Sequence, residues 1–181
     1  MDTRAVQELL DKQAIRELVY HYSRAVDRQD FALLRSLYTA DGVDDHGGLY
    51  CGSAAGYVDW LEATMTKTCD ITTHSVNNHL IALTSETTAE GEVYVTAYHR
   101  LHGQPGEGFG ELIEGLRYID RYEKHDGRWQ FASRTLVNDW AQVGKAFWDI
   151  HNPALEGTPV GTVTGEDPSY RKLESMLFKR R

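Results

Sequence analysis

The pattern of apolar residues changes near residue 71, and this change narrows the folds open to the chain. From there to residue 141 four long segments are rich in β-branched and aromatic residues, namely ITTHSVNNHLIALT, GEVYVTAYHRLH, ELIEGLRYIDRYEKH and RWQFASRTLVNDWA. Such segments are typical of β-strands. The breaks between them are short, and Asp126-Gly127 in the last break is a strong hairpin signal. Short connections of this kind predict an antiparallel sheet.

The sequence before this point predicts helices. Residues 4–26 carry apolar side chains at three- and four-residue spacing, the pattern of an amphipathic helix. Asp30 is expected to cap a second, short helix over FALLRSLYT, and Ser53 is expected to begin a third helix. A hairpin-like stretch that ends near Tyr50 is expected between these two helices. Helices followed by a run of strands are typical of an α+β domain in which the helices pack on one curved sheet.

Composition divides the chain at about residue 143. Residues 144–181 contain three of the four prolines and several glycines. We therefore expect residues 1–143 to form the α+β domain and residues 144–181 to form an extension. A last short helix, PSYRKLESMLFKR, is predicted in this extension, and we expect it to pack on the domain or on a neighbouring subunit.

Charge and hydropathy exclude several classes of partner. The 181 residues carry a formal net charge of −8, with a pI near 5.4, and such a field repels nucleic acid. No apolar run reaches the roughly 18 to 20 residues that span a bilayer. The N-terminal segment MDTRAVQELLDKQAIREL is charged and lacks the apolar core of a secretory signal. We expect a cytoplasmic protein with no membrane or nucleic-acid partner.

The familiar cofactor signatures are missing. Cys51 and Cys69 lie far apart with no CxxC spacing, and the sequence has no HExxH, no phosphate loop and no GxGxxG followed by a helix. We therefore expect no metal and no cofactor.

Three segments carry a family resemblance: AIRELVYHYSRAVDRQDFALLRSLYTADG, THSVNNHLIAL and YIDRYEKHDGRWQFASRTLVNDW. They lie in order over residues 14–140, and together they resemble the SnoaL-like branch of the nuclear-transport-factor-2-like superfamily. The resemblance implies a cone-shaped fold, in which helices close a strongly bent antiparallel sheet around a pocket. It also implies a homodimer or homotrimer formed through the outer face of the sheet.

The same resemblance points to a catalytic pair. In the scytalone dehydratase, bile-acid 7α-dehydratase and hexachlorocyclohexane dehydrochlorinase branches, an aspartate ends the first helix and a histidine lies early in the following long strand. Asp27 and His74 occupy these places. A neutral imidazole is a suitable base near pH 7, and a carboxylate can orient it and compensate its charge. We expect Asp27 to orient His74, and His74 to abstract a proton.

Other residues are candidates by position. Tyr22 belongs either to the apolar stripe of the first helix or to the pocket, where its phenol would protonate or hold a departing oxygen. His99 alternates with Val93, Val95 and Ala97, the side expected to face inward.

The remaining candidates are substrate-binding residues. His46 stands where related enzymes place a tyrosine, and Tyr50 is the nearest tyrosine in this chain. Arg134 resembles a pocket arginine loosely, with a surface salt bridge as the alternative. Further aromatic side chains could line a pocket for a flat apolar substrate; these are Trp60, Tyr98, Trp140 and Trp148.

Four functions are compatible with these features. The first is a cofactor-independent lyase that eliminates water, HX or formaldehyde from an aromatic, polyketide or steroid-like substrate. The second is an isomerase or polyketide cyclase, which would use Tyr22 or His46 to stabilise an enolate. The third is a non-catalytic ligand-binding module. The fourth is the small subunit of a ring-hydroxylating dioxygenase, in which the pair would have no evident purpose.

Overall fold

The computed structural model describes residues 2–102, 110–146, 153 and 156–180. Its elements follow one another as α1 (Thr3–Asp27), α2 (Phe31–Ser36), β1 (Tyr38–Asp45), β2 (Cys51–Ser53), α3 (Ala54–Thr68), β3 (Cys69–Leu83), β4 (Thr88–Leu101), β5 (Gly110–His125), β6 (Arg128–Lys145), α4 (Pro168–Lys172) and a 3-10 turn (Met176–Phe178). Side-chain caps start the three longer helices, because Asp2, Asp30 and Ser53 each accept a hydrogen bond from a backbone N–H of the first turn.

The strands form one six-stranded sheet in the order β2-β1-β6-β5-β4-β3. All neighbouring pairs are antiparallel except β1 and β6, which are parallel. The predicted hairpin at Asp126-Gly127 is confirmed, with φ values of +50° and +77° at its two turn residues. Positive φ at both positions gives the turn the twist of the strands it joins. The predicted α+β fold, with N-terminal helices on a curved and unclosed sheet, is confirmed.

One face of the sheet, here called the inner face, packs against the helices. Along β4 it presents Ala89, Val93, Val95 and Ala97, each no more than 2% exposed. These side chains join a single apolar core with residues of α1 and α3 such as Val19. The opposite face, here called the outer face, is not covered by the described helices. Strand alternation therefore decides which side chains of β3 to β6 meet the helices.

The second helix is shorter than predicted. FALLRSLYT was expected to be helical throughout, but α2 ends at Ser36 and Tyr38 begins β1. Tyr38 is aligned with Phe131 of β6, and the backbone N–H of Phe131 donates to the carbonyl of Leu37 at 2.9 Å. The residues after Ser36 have helical spacing, but they pair with a strand that is distant in the sequence and therefore adopt an extended conformation.

The described part of the extension packs on α1. Arg24 donates to Ser169 Oγ and to the Phe178 carbonyl, each at 3.1 Å, and Arg28 Nε lies 3.3 Å from Asp167 Oδ2. The expected single helix over residues 168–180 is wrong, because α4 ends at Lys172 and only a short 3-10 turn follows. In the part of the chain that the structure describes, no helix is long and apolar enough to cross a membrane.

Candidate functional site

Asp27 is the last residue of α1. The helix stops there because Gln29 adopts a left-handed conformation, with φ +48°, and the N–H of Asp30 returns to the carbonyl of Ala25 at 2.8 Å. A carboxylate at a helix C-terminus is disfavoured by the helix dipole. Asp27 is therefore in a place where local helix energetics favour a basic or neutral residue, and contacts from elsewhere must stabilise it.

Three hydrogen bonds from β3 hold the Asp27 carboxylate. Oδ1 accepts from Thr72 Oγ1 at 3.0 Å and lies 2.7 Å from His74 Nδ1, while Oδ2 accepts from the backbone N–H of His74 at 3.0 Å. Because β3 is the last strand of the sheet, that N–H has no neighbouring strand to bond with. Asp27 thus satisfies the sheet edge and orients the imidazole at the same time.

The contact with Asp27 fixes the roles of the two ring nitrogens of His74. Nδ1 carries the proton that is donated to the carboxylate, so Nε2 presents its lone pair. The side chains of His74 and Asp27 are 7% and 13% exposed, which removes most of the competing water. The pair, here called the dyad, has the arrangement of an oriented general base.

The dyad lies in a cleft of about 340 Å³ between α1 and β3, here called the dyad cleft. The cleft is open to solvent. It is lined by side chains of both elements, namely Tyr20, Ser23, Arg24, Asp27, Arg28, His74 and Val76.

His99 lies beside the dyad on the inner face, as the alternation of β4 predicted. Its ring is perpendicular to that of His74, with the ring centroids 5.4 Å apart. Burial, with a further contribution from His74, lowers the pKa of His99 to about 4. His99 is therefore neutral near pH 7, and it does not repel a proton that arrives on His74.

Glu114 and Asn138 complete this part of the inner face, and sequence reasoning missed both. Glu114 is aligned with Ala97, which is itself aligned with His74, so the three lie across β5, β4 and β3. Asn138 Nδ2 donates to Glu114 Oε1 at 2.6 Å. The missed signal was the period-two alternation of β5, which puts Glu114 on the same face as the apolar Leu116.

Tyr22 lies in the core. It is 1% exposed, its ring meets those of Tyr118 and Phe131 edge-on, and its hydroxyl lies 2.9 Å from that of Tyr57. Burial raises the pKa of the Tyr22 phenol well above its usual value. A phenol engaged in this way is not placed to meet a departing oxygen, which corrects the catalytic expectation for Tyr22.

His46 belongs to a second carboxylate–histidine contact. Its Nδ1 lies 2.5 Å from Asp44 Oδ1, and its Nε2 lies 3.3 Å from the hydroxyl of Tyr57, on which the imidazole also stacks. Tyr50 and Trp60 lie next to Tyr57, with ring centroids 5.7 and 6.0 Å from it. The structure thus brings His46, Tyr50 and Trp60 together in one aromatic cluster.

Arg134 forms a buried ion pair, and the expected surface salt bridge is wrong. Its side chain is 0% exposed, and two of its nitrogens donate to the two carboxylate oxygens of Asp120 at 2.8 and 2.7 Å. The guanidinium carbon lies 4.0 Å from the ring centroid of Tyr22 and 3.9 Å from that of Tyr118. Inner-face alternation on β6 causes this burial, because Arg134 is aligned with the inward-facing Asp120.

Two aromatic candidates lie on the outer face. Tyr98 directly precedes the inward-facing His99, so its side chain points the other way. Trp140 is 53% exposed. Its ring covers Gly115, the residue aligned with it on β5, and fills the space that a side chain at Gly115 would occupy on the outer face. The structure therefore does not bring Tyr98 and Trp140 to the face of the sheet that carries the dyad. Trp148 lies outside the described residues.

Residues 7–135 of the chain match the SnoaL-like domain family. Among solved structures, the chain is similar to a scytalone dehydratase-like protein from Novosphingobium aromaticivorans, with 23% identity, a TM-score of 0.68, and coverage of 80% of this chain and 98% of that one. It is also similar to a type 2 hexachlorocyclohexane dehydrochlorinase, LinA, with 20% identity, a TM-score of 0.72, and coverage of 82% and 98%. A protein of unknown function from Mycobacterium tuberculosis, Rv3472, has 20% identity, a TM-score of 0.62, and coverage of 75% of each chain. These likenesses establish the fold.

Proposed function

We propose that this chain, which belongs to the SnoaL-like domain family, is a cofactor-independent lyase that uses the dyad to catalyse an elimination. The observation that carries the proposal is the 2.7 Å contact between Asp27 Oδ1 and His74 Nδ1 at the surface of a cleft. Two of the similar structures are named for a dehydratase and a dehydrochlorinase, and both names describe eliminations.

His74 begins the reaction. Its Nε2 lone pair removes a proton from carbon, the electrons of the broken C–H bond form the new double bond, and the leaving group departs with its own electron pair. The proton on Nε2 makes the ring an imidazolium, which the Asp27 carboxylate stabilises across the Nδ1–H contact. His74 returns to its neutral form when it passes the proton to the departing group or to solvent.

Thr72 and His99 support this step in different ways. Thr72 Oγ1 holds Asp27 Oδ1 in place, so the carboxylate does not rotate away when the charge on the imidazole changes. His99 stays neutral near pH 7, because burial lowers its pKa to about 4. A second cation at that position would oppose protonation of His74.

The substrate that we propose is a small apolar aromatic, polyketide or steroid-like compound. Support comes from the lining of the dyad cleft, which includes the aromatic ring of Tyr20 and the apolar side chain of Val76. Flat ring compounds bury their surface against such side chains with little loss of side-chain freedom.

The alternatives are an isomerase or cyclase and a non-catalytic binder. An isomerase or cyclase using the same base would need a donor for an enolate oxygen. The two residues predicted for that task, Tyr22 and His46, direct their polar atoms at other side chains. This contact pattern favours elimination over isomerisation. In a non-catalytic binder the Asp27–His74 contact would only hold α1 against the edge of β3, whereas in an enzyme it also orients a base at the surface of a cleft, and this second use favours an enzyme.

The test is to incubate the protein, without added metal or nucleotide, with hydroxylated aromatic, polyketide and steroid compounds and to follow products by mass. Loss of water or HX is expected from the wild type, since both follow from abstraction of a C–H proton. His74→Ala is expected to lower the rate by about 10²- to 10⁴-fold, and Asp27→Asn by a similar factor because it favours the wrong tautomer.

Matched controls are the exposed His125→Ala and Asp41→Asn, which should keep the wild-type rate. Circular dichroism of each variant checks that its fold is retained. A mass-neutral product that depends on His74 would show an isomerase or cyclase instead. Turnover that survives in His74→Ala would overturn the role of the dyad.

A further inference from the structure

The extension packs on the end of α1 that carries Asp27, although the proposed elimination uses none of its residues. It follows the part of the chain that matches the SnoaL-like domain family. Two of its residues contact the two positions directly after Asp27: Asp167 pairs with Arg28, and Arg180 donates to the carbonyl of Gln29 at 3.1 Å. A segment beyond the family match is therefore bound to the residues that end the helix of the dyad.

Asp167 is a buried carboxylate with a fixed orientation. It is 2% exposed, and it accepts hydrogen bonds from the backbone N–H groups of Ser169 and Thr162, each at 3.0 Å, and from Ser169 Oγ at 2.6 Å. Burial raises the pKa of this carboxyl, but the hydrogen bonds and the charge of Arg28 together hold it below its usual range. Asp167 is therefore ionised near pH 7, and a buried anion is stabilised by a cation beside it.

Arg28 connects this carboxylate to the backbone of Asp27. Its Nε lies 3.3 Å from Asp167 Oδ2, and its Nη1 donates to the carbonyl oxygen of Asp27 at 3.1 Å. The last carbonyls of a helix have no partner within the helix, and a cation beside them also interacts favourably with the helix dipole. Because the side chain of Arg28 is 30% exposed, its guanidinium would be free to turn towards solvent without Asp167. Arg28 thus holds the last peptide group of α1, and Asp167 holds Arg28.

The backbone of the next residue indicates why this end of α1 needs support. Gln29 has φ +48°, a left-handed conformation that is unfavourable for a residue with a Cβ atom. Residues other than glycine keep such a conformation only where surrounding contacts hold it. Gln29 is 7% exposed, and its carbonyl accepts a hydrogen bond from Arg180. The extension therefore stabilises the turn that ends the helix at Asp27.

The backbone position of Asp27 decides where its carboxylate lies. The side chain is short, so a small rotation of the last turn of α1 moves both carboxylate oxygens relative to β3. These oxygens make three contacts of 2.7 to 3.0 Å with Thr72 and His74. Hydrogen bonds weaken steeply when their distance or angle departs from the favoured range. A displacement of Arg28 therefore reaches the dyad through a single peptide bond.

We propose that Asp167 is a positioning residue for the dyad: acting through Arg28, it fixes the last turn of α1 and with it the orientation of the Asp27 carboxylate towards His74. The extension then contributes to the reaction without touching the substrate. The inference rests on the proposed function for its effect on turnover, whereas its effect on the contact between Asp27 and His74 is measured without any substrate.

The variant Asp167→Asn tests this role with little change in shape. Asparagine caps a helix about as well as aspartate and accepts the same backbone hydrogen bonds, but it lacks the charge that holds Arg28. In the full chain labelled with ¹⁵N-histidine, NMR follows the far-downfield proton on His74 Nδ1, which is assigned by its loss in His74→Ala. We expect this resonance to move upfield in Asp167→Asn, and its exchange with water to become about tenfold faster.

Further variants assign the effect to the ion pair. Glu166→Gln is the matched control, because it removes the same charge one residue earlier, from an exposed side chain that pairs with Arg171 inside the extension. It should leave the His74 resonance unchanged. Arg28→Met should change the resonance at least as much as Asp167→Asn does. The double variant should change it no more than Arg28→Met alone, because effects that pass through one contact are not additive.

Turnover supplies the second readout. With a compound that the wild type converts, Asp167→Asn should lower kcat about tenfold and leave KM within about twofold, since the base is displaced while the substrate still binds. A higher KM with an unchanged kcat would overturn the positioning role.

The resonance and turnover together separate the two proposals. A His74 resonance that is unchanged in Asp167→Asn, or that changes equally in Glu166→Gln, would overturn the positioning role even if the enzyme eliminates water by way of His74. A resonance that depends on Asp167 and Arg28, in a protein that turns over nothing through His74, would support the positioning of the dyad and count against the proposed function alone.

Discussion

The Asp27 carboxylate holds both the backbone and the ring of His74: Oδ2 accepts the backbone N–H at 3.0 Å, and Oδ1 lies 2.7 Å from Nδ1. The two residues are 47 positions apart in the sequence. One side chain therefore sets the place of the strand and the orientation of its imidazole together. A shift of α1 against β3 would change the direction of His74 Nε2, so the packing of these two elements would affect the reaction that we propose.

Removal of the third hydrogen bond to this carboxylate should slow turnover without unfolding the protein. Thr72→Val keeps the shape of the side chain and removes the donor to Asp27 Oδ1. We expect a loss of about 1 kcal/mol, or roughly fivefold in kcat. Thr73→Val, on the neighbouring exposed position, is the control. An unchanged kcat in Thr72→Val would show that Asp27 is held adequately by His74 alone.

The buried pair of Asp120 and Arg134 should dominate the stability of the inner face. Arg134→Met leaves Asp120 buried without its partner, and we expect it to lower the free energy of unfolding by about 3–5 kcal/mol. The double variant Asp120→Leu with Arg134→Met should be less destabilised than either single variant, because no unpaired charge remains. Urea unfolding measures all three.

The control for the buried Asp120–Arg134 pair is the solvent-accessible Arg117, which forms ion pairs with Glu92 and Asp139. Arg117→Met should cost much less than Arg134→Met, since exposed ion pairs are screened by water. Equal losses in the two variants would contradict the importance assigned to burial.

His79 should make the folded state sensitive to acid. Burial lowers its pKa from 6.5 to about 4 in the folded protein. The unfolded chain therefore binds more protons between these values, and this contribution destabilises the fold as the pH falls from 6.5 to 4 and then levels off. His79→Gln should flatten the dependence of the unfolding free energy on pH across that window.

His125→Gln is the matched control for His79, because His125 is exposed. It should leave the slope unchanged when urea unfolding is compared at pH 7 and pH 4.5. His99 is expected to add to the same slope, since its pKa is also about 4. A slope that is identical in wild type and His79→Gln would contradict the buried, neutral state of His79.

Arg24 should hold the extension on α1. Its guanidinium contacts Ser169 and Phe178 and lies 5.2 Å from the ring centroid of Tyr170. Arg24→Ala should raise amide hydrogen exchange in residues 166–180 while β3 to β6 stay protected. Arg4→Ala, at the other end of the same helix, should leave the exchange of the extension unchanged. Unchanged exchange in Arg24→Ala would mean that other contacts hold this segment.

Strand alternation explains both the successes and the errors of the sequence-based predictions. His99 was placed correctly because its neighbours Val95 and Ala97 mark the inner face. The same period of two, applied consistently, puts Tyr98 on the outer face and Glu114 on the inner face. Residue type alone predicts the opposite faces, because an aromatic side chain such as Tyr98 is usually buried and a charged one such as Glu114 usually faces solvent.

Local sequence patterns were sufficient to predict the first helix, the four long strands, the hairpin at Asp126-Gly127 and the α+β class. Periodicity, caps and turn residues act over a few positions, so a short stretch of sequence contains them. The family resemblance of the segments around Asp27 and His74 was sufficient to pair those two residues. Contacts between distant segments decided the rest: the early end of α2 at Ser36, the burial of Arg134 against Asp120, and the position of Tyr22 in the core. Each of these outcomes depends on contacts with residues of other elements. For a buried polar or charged side chain, such contacts offset the free-energy cost of removing it from water, and no short stretch of the chain shows whether they are present.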